Sequence, residues 1–269
     1  MAELSHEKRF GRFTSSQIGR LCSMGKIPMT DEEKAEDRKL NPKSKKTTIE
    51  GGFAATGLSY IEEKVYEERT GRRIQNESTS RSTSWGKCAE GMAFSKLGIE
   101  YTITSELTIE SKDIDNYSGS PDGYKTVNGE ISVFDIKCPY TLLSYCRLAN
   151  YCISGDVQKF KDEEPIYYFQ LISNSILLGC KSAELVIFMP YKSELPQLKD
   201  IIDKMDSSSP YEYYWIEAAL NSGRYEQLPY LIENMYYKNL YTLNFKIPDE
   251  DVSFLKERIK LANLERLKF

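Results

Sequence analysis

From Phe53 to about Thr70 the sequence places Leu58, Ile61 and Val65 on one stripe with glutamates opposite, the spacing of an amphipathic helix that Gly71 closes. A second helix is predicted from Trp85 to Gly98. Its Glu90, Phe94 and Leu97 fall at i, i+4 and i+7, so a carboxylate is expected on the buried stripe, where it needs a partner. Ile99 to Ile109 alternates enough for one or two strands (Tyr101 and Ile103, then Leu107 and Ile109), expected to pair with the hairpin downstream. That hairpin turns at Asn128-Gly129 and rises through Ile131, Val133, Phe134 and Ile136 to Lys137. Thr141 to Cys152, with Leu142, Leu143 and Leu148, reads as a helix. Pro165 suits the first turn of another, running to Leu178 with Gly179 as its cap. Glu184 to Pro190 is nearly all apolar, as a central strand would be.

Elsewhere the pattern is weaker. Arg9 to Ser16 leads into a short helical stretch through Ile18 and Leu21. Lys26 to Glu50 is charged, poor in large apolar residues and broken by Pro28 and Pro42, so it is expected to be a loop. Its Lys43, Lys45 and Lys46 are expected in solvent, with phosphate contact as the alternative. Beyond Tyr191, a polar linker at 207–210 precedes helices expected at Tyr211–Leu220 and Tyr225–Tyr241, and Pro248 opens a last helix through Val252, Leu255, Ile259 and Leu264. These elements predict an α/β core over residues 1–195, with 26–50 as its flexible loop, and a helical extension over 196–269 packed on it.

At 269 residues and 40% hydrophobic, the chain can bury a sizeable core. It has no apolar run long enough for a bilayer, and MAELSHEKRFGRF lacks the apolar centre of a signal peptide. The six cysteines (22, 88, 138, 146, 152 and 180) form no CxxC pair, which predicts reduced thiols and a cytoplasmic location, and argues against a zinc ribbon or an iron–sulfur cage. The single histidine, His6, is expected in a mobile terminus, so histidine-based catalysis and a histidine metal site are excluded. Net charge is −4, but it is uneven: residues 1–90 carry 17 Lys and Arg against 14 Asp and Glu, a net of +3, and residues 91–269 carry 19 against 26, a net of −7. A basic groove on an acidic protein is compatible with that split.

The residues that carry chemistry lie between Gly119 and Tyr140. Asp122 sits in a Ser-Pro-Asp-Gly turn, and Asp135 and Lys137, two apart on a strand, share a face. If Asp122 folds beside them, two carboxylates and an ammonium converge at one sheet edge. Carboxylates without histidine suit Mg²⁺ or Mn²⁺, a lysine beside them can orient or deprotonate water, and such a metal can assist phosphodiester cleavage. The plainer reading of Asp-x-Lys alone is a solvated ion pair on a surface hairpin.

The string Ser-Pro-Asp-Gly followed by Asp135-Ile136-Lys137-Cys138-Pro139-Tyr140 resembles the lambda-exonuclease-like (YqaJ-type) branch of the PD-(D/E)xK nuclease superfamily. The resemblance spans roughly Arg9 to Tyr191. It implies a mixed β-sheet flanked by helices, with one or two Mg²⁺ (Mn²⁺ as the alternative) held by Asp122, Asp135, Glu90 and the backbone carbonyl of Ile136. It implies Lys137 as the residue that positions or activates water, Gln170 beside it, and Arg9, Ser16 and Ser120 on the 5′-phosphate of a DNA end. It further implies a 5′ to 3′ exonuclease on double-stranded DNA in phage-type recombination, a ring-shaped trimer and a single-strand annealing partner. Without the resemblance, Arg9 to Ser16 is a capped helix start and Gln170 a helix–helix hydrogen bond. Two other functions stay open: an endonuclease of the same superfamily and a non-catalytic DNA-binding protein.

Overall fold

The computed structural model describes residues 9–74, 80–104, 107–205 and 211–269; His6 and the linker at 207–210 lie outside them. The Asn128-Gly129 turn forms as the sequence predicts. Both residues take positive φ (52° and 82°), the conformation a two-residue hairpin needs, and join β7 (Gly123–Val127) to β8 (Glu130–Lys137). Three further strands complete a five-stranded mixed sheet in the order β10-β9-β8-β7-β4. β4 (Tyr101–Ile103) is antiparallel to β7, β9 (Ser182–Phe188) runs parallel to β8, and β10 (Leu240–Lys246) closes the far edge antiparallel to β9.

The parallel step from β8 to β9 requires a crossover. It is made by three helices: α4 (Leu142–Ser154), α5 (Val157–Glu163) and α6 (Pro165–Leu178). Thr141 caps α4 by accepting from the Ser144 amide, and Pro165 and Gly179 bound α6 as expected. Side chains alternate along β8. Val133 joins Leu185, Ile187 and Leu243 in a core with α4, α6 and α9 (Asp249–Glu265). Phe134 and Ile136 face the other way, toward Trp85, Cys88 and Met92 of α3 (Arg81–Lys96), toward Leu195, and toward Leu198 of α7 (Leu198–Ile202) and Ile216 of α8 (Tyr214–Asn221) beyond β9. Two smaller sheets flank this frame. β6 (Tyr117–Gly119) lies between β1 (Phe13–Thr14) and β5 (Ile109–Glu110), so of the strands expected near Ile99–Ile109 only β4 joins the hairpin. No helix among the described residues is long and apolar enough to cross a membrane.

Several expectations are corrected. Lys26–Glu50 is not a loop: β2 (Met24–Pro28) pairs with β3 (Thr48–Phe53), and α1 (Asp31–Leu40) lies between them. α1 buries no residue and is fixed at its start by a capping box, Thr30 with Glu33, rather than by an apolar face. α2 (Ala55–Thr70) buries Tyr60, Ile61 and Val65, leaving Leu58 exposed. Leu142, Leu143 and Leu264 are exposed as well.

The helix expected over Tyr225–Tyr241 is absent. That stretch holds one short 3-10 turn (Tyr225–Gln227) and then enters β10. The division at residue 195 therefore fails, because β10 is a strand of the central sheet and α9 a wall of its core. α9 also ties the ends of the chain together. Arg258 donates from Nε to the Leu21 carbonyl (2.7 Å), and Arg266, just past the helix, donates from Nη1 to the Gly11 carbonyl (2.7 Å).

Candidate active site

β8 outruns β7 at the site. β7 begins at Gly123, opposite Phe134, so Ile136 and Lys137 have no β7 partner. Gly123 is required there, since a Cβ would meet the Thr102 carbonyl at 2.1 Å and the Phe134 ring at 2.6 Å. The preceding Asp122 folds into the open edge, where its Oδ2 accepts from the Ile136 amide at 2.6 Å. The N–H and C=O of a strand residue face the same neighbour, which puts the Ile136 carbonyl on the edge Asp122 occupies.

On the α6 face of the sheet, Asp135 is 1% exposed. Gln170 Nε2 donates to Asp135 Oδ1 at 2.7 Å, and Lys137 Nζ donates to Gln170 Oε1 at 3.0 Å. Lys137 also ion-pairs directly with Asp135 Oδ2, an oxygen with no other partner. The amide of Gln170 is thus locked in one orientation by a donor-side and an acceptor-side partner. Tyr167, one turn earlier on α6, places its ring 4.9 Å from Lys137 Nζ.

Glu90 approaches from α3, which begins a turn earlier than expected with Ser80 as its N-cap. Glu90, Phe94 and Leu97 are only half-buried; the buried stripe is Trp85, Cys88, Ala89, Met92 and Ala93. The carboxylate nonetheless belongs to the cluster. Burial, then the charge of Asp135, pushes Glu90 from 4.5 up to about 7, with Lys137 opposing. Burial and the charges of Asp135 and Glu90 likewise hold Asp122 well above the usual carboxylate range. Burial would lower Lys137, but Asp135 and Asp122 outweigh it and keep the ammonium above its ordinary value.

This donor set fits a hard divalent cation. Burial and then the charge of Asp135 raise the proton affinity of Glu90 and Asp122, so the cluster is short of positive charge, and among the described residues no histidine stands in it to favour a softer metal. Among the described residues no three His, Cys, Asp or Glu side chains close into a finished ligand cage, so the fit rests on charge and donor chemistry.

The residues expected at a 5′-phosphate are only partly brought together. Arg9 Nη2 donates to Ser16 Oγ at 3.4 Å, and both line a cavity of about 190 Å³ with Thr14, Arg20, Tyr60 and Lys64. Arg20 is engaged by Glu63 through two bonds of 2.9 and 3.0 Å, and Lys64 by Glu67 at 2.8 Å. Ser120 does not line that cavity; its hydroxyl shares a hydrogen bond with Thr108 at 2.9 Å. Ser173, one turn past Gln170 on α6, meets Ser15 Oγ at 2.7 Å and so ties this corner to the helix that carries Gln170.

Sequence reasoning missed the Ile136 amide as the anchor of Asp122, which no side-chain pattern signals. It also missed Glu184, fully buried in the strand expected to be apolar. Its Oε1 is met by Tyr101 (3.1 Å), Lys125 (3.3 Å) and Asn244 (2.9 Å) from three different strands.

A mixed sheet with acids and a lysine at the end of its central parallel pair, flanked by helices, is the architecture of the PD-(D/E)xK nuclease fold. Solved structures of exonucleases share this fold. LHK-Exo, an alkaline exonuclease from Laribacter hongkongensis, aligns over 99% of this chain and 93% of its own with a TM-score of 0.55 and 15% identity. Its complex with dAMP aligns over the same shares at 0.57 and 16%. A phage-related exonuclease from Haemophilus somnus 129PT aligns over 96% and 94% at 0.55 and 14%. No family model matches the chain, and no curated protein matches it by sequence.

Proposed function

We propose that this chain is a Mg²⁺-dependent deoxyribonuclease that degrades linear double-stranded DNA from its ends, 5′ to 3′, and leaves 3′ single-stranded tails for phage-type recombination. The observation that carries the reading is the contact chain Asp122–Ile136 and Asp135–Gln170–Lys137, standing on a fold shared along nearly the whole length with exonucleases. Bound by Asp122, Asp135 and Glu90 with the Ile136 carbonyl, Mg²⁺ would offset the charge that builds on a phosphodiester as it is cut. Lys137, held cationic by its carboxylates, acts as a donor that orients water and neutralises phosphate oxygen rather than as a base. Gln170 fixes where that ammonium stands. The Arg9 and Ser16 cavity is suited to a terminal phosphate, and the same reading carries a ring-shaped trimer and a single-strand annealing partner.

The deciding assay offers linear and covalently closed duplexes with Mg²⁺ or with a chelator. Linear DNA should be consumed only with Mg²⁺, and closed circles should survive. Cutting of the circles would favour the endonuclease, and binding without cleavage in Mg²⁺ or Mn²⁺ the non-catalytic protein. Gln170→Ala should lower kcat about 10- to 100-fold with little change in KM, because it leaves every charge in place but frees Lys137 to wander. A normal kcat in steady-state assays would show that the amide bridge is only structural.

A further inference from the structure

The hydroxyls of Ser15, Ser173 and Tyr117 form a chain that no contact of the proposed reaction uses. All three residues are shut away from solvent. Ser173 Oγ donates to Ser15 Oγ at 2.7 Å, and the Tyr117 hydroxyl lies 2.6 Å from Ser173 Oγ and 2.8 Å from the Ser173 carbonyl. Buried hydroxyls that satisfy one another fix where their backbones stand, because breaking one bond leaves a polar group without water or partner. The chain joins two ends of the candidate site. Ser15 opens the short 3-10 turn Ser15–Leu21, whose next residue, Ser16, accepts from Arg9 in the cavity of about 190 Å³. Ser173 lies past Gln170 on α6, about 5 Å along the helix, and Gln170 is the amide that holds Asp135 and Lys137. Turn and helix also meet without slack: a Cβ on Gly19 would come within 2.8 Å of the Ile166 Cα.

We propose that Ser173, with Ser15 and Tyr117 bonded to it, is a positioning residue that carries occupancy of the Arg9–Ser16 cavity to Gln170, so that an anion held in the cavity speeds the cut at the acids. The inference rests on the nuclease reading above and adds how one end of the site reports to the other. Ser15 and Ser16 are consecutive, yet one hydroxyl serves the helix and the other the cavity. A phosphate gripped by Arg9 and Ser16 therefore fixes the same turn that Ser15 bonds to α6. The helix passes that restraint to Gln170, whose amide has a donor-side and an acceptor-side partner and loses both if it rotates. Lys137 then stands where the reacting phosphodiester needs it, and a misplacement of about 1 Å is enough to cost ~10²-fold in rate. Tyr117 anchors the chain from β6, which pairs with β1 just before the turn.

The first cut on linear duplexes ending in a 5′-phosphate or a 5′-hydroxyl, followed in single turnover with Mg²⁺ over a range of enzyme concentrations, separates rate at saturation from affinity. The wild type should cut the phosphorylated end at least ~10-fold faster at saturation, a coupling of ordinary size. Ser173→Ala should cut that end ~10-fold more slowly than the wild type while still binding it in preference, and should cut the hydroxyl end at the wild-type rate. Ser15→Ala should do the same, and carries the test if Ser173→Ala does not fold. The double variant should be no slower than either, because both remove one link. A side chain that merely supports the fold would lower the thermal midpoint or slow both ends alike. An unmoved ratio between the ends overturns the proposal, as does a wild type indifferent to the end phosphate at saturation. If no linear duplex is cut at all, the nuclease reading falls, and hydrogen exchange judges the coupling by itself. In Ca²⁺, a 5′-phosphorylated duplex should slow exchange across residues 165–178 of the wild type more than its 5′-hydroxyl counterpart does, and the two should act equally on Ser173→Ala. Wild-type exchange that ignores the end phosphate overturns the proposal on that arm.

Discussion

Lys137→Ala is expected to lower the turnover of linear duplex DNA by ~10²–10⁴-fold, the range a positioned proton donor or acceptor supplies, while duplex affinity stays largely intact. The reason is local. Lys137 is the cation set against Asp135, Asp122 and Gln170, and the contacts proposed for the DNA end, at Arg9 and Ser16, lie on other elements. Removing one partner of a buried ion pair also costs stability, about 3–5 kcal/mol where the remaining charge is left bare. Thermal unfolding must therefore accompany the assay, and Lys137→Arg, which restores charge but not the compact ammonium, should recover stability better than turnover. Gel-shift binding in Ca²⁺ together with cleavage in Mg²⁺ separates the two effects. Cleavage at the wild-type rate by a folded Lys137→Ala would remove the mechanism.

The second large effect concerns pH and metal together. Glu90 is raised from 4.5 to about 7 and Asp122 is also raised, so the folded protein holds protons that the unfolded chain has released. For groups shifted this way, stability falls as pH climbs from the unfolded value through the folded one. In chelator, the protein should therefore lose stability between about pH 4.5 and pH 7, with Glu90 contributing about 1–3 kcal/mol after allowance for its partial contact with solvent. That corresponds to roughly 3–10 °C in Tm for a chain of this size. Mg²⁺ should recover the loss above pH 7, where the carboxylates are free to bind it, and do little at pH 5. Glu90→Gln should flatten the pH slope in chelator and blunt the Mg²⁺ response. Scanning calorimetry over pH, with and without Mg²⁺, reads both; a Glu90→Gln protein with an unchanged slope would place that carboxylate outside the cluster.

Local chemistry made the centre of the fold legible. Asn128-Gly129 needs positive φ at both positions, Pro165 and Gly179 mark the ends of α6, and the alternation through β8 separates Asp135 and Lys137 from Ile136. These signals are complete within a few residues. What escaped reading depends on partners far away in the chain. β10 shows its period of two only weakly, and the tyrosines before it mimic a helix; β9 across the sheet settles the matter. α1 has no apolar stripe to notice, although its capping box is written in Thr30 and Glu33. Leu142 and Leu143 promised a buried helix face, yet they stand in solvent because α4 packs through Tyr145, Leu148 and Ala149. At the site, residue types could be named from the motif, but the tie from Asp122 to a backbone amide belongs to the geometry of two strands of unequal length.

The clasp of Arg258 and Arg266 on the first described residues bears on the order in which the molecule is made. The corner carrying Arg9 and Ser16 is gripped by side chains synthesised some 240 positions later, and the sheet lacks its outer strand until residues 240–246 have left the ribosome. A nascent chain carrying every acid and the lysine would still lack a finished fold, so the candidate site is completed only after the strand at 240–246 and the arginines at 258 and 266 have emerged.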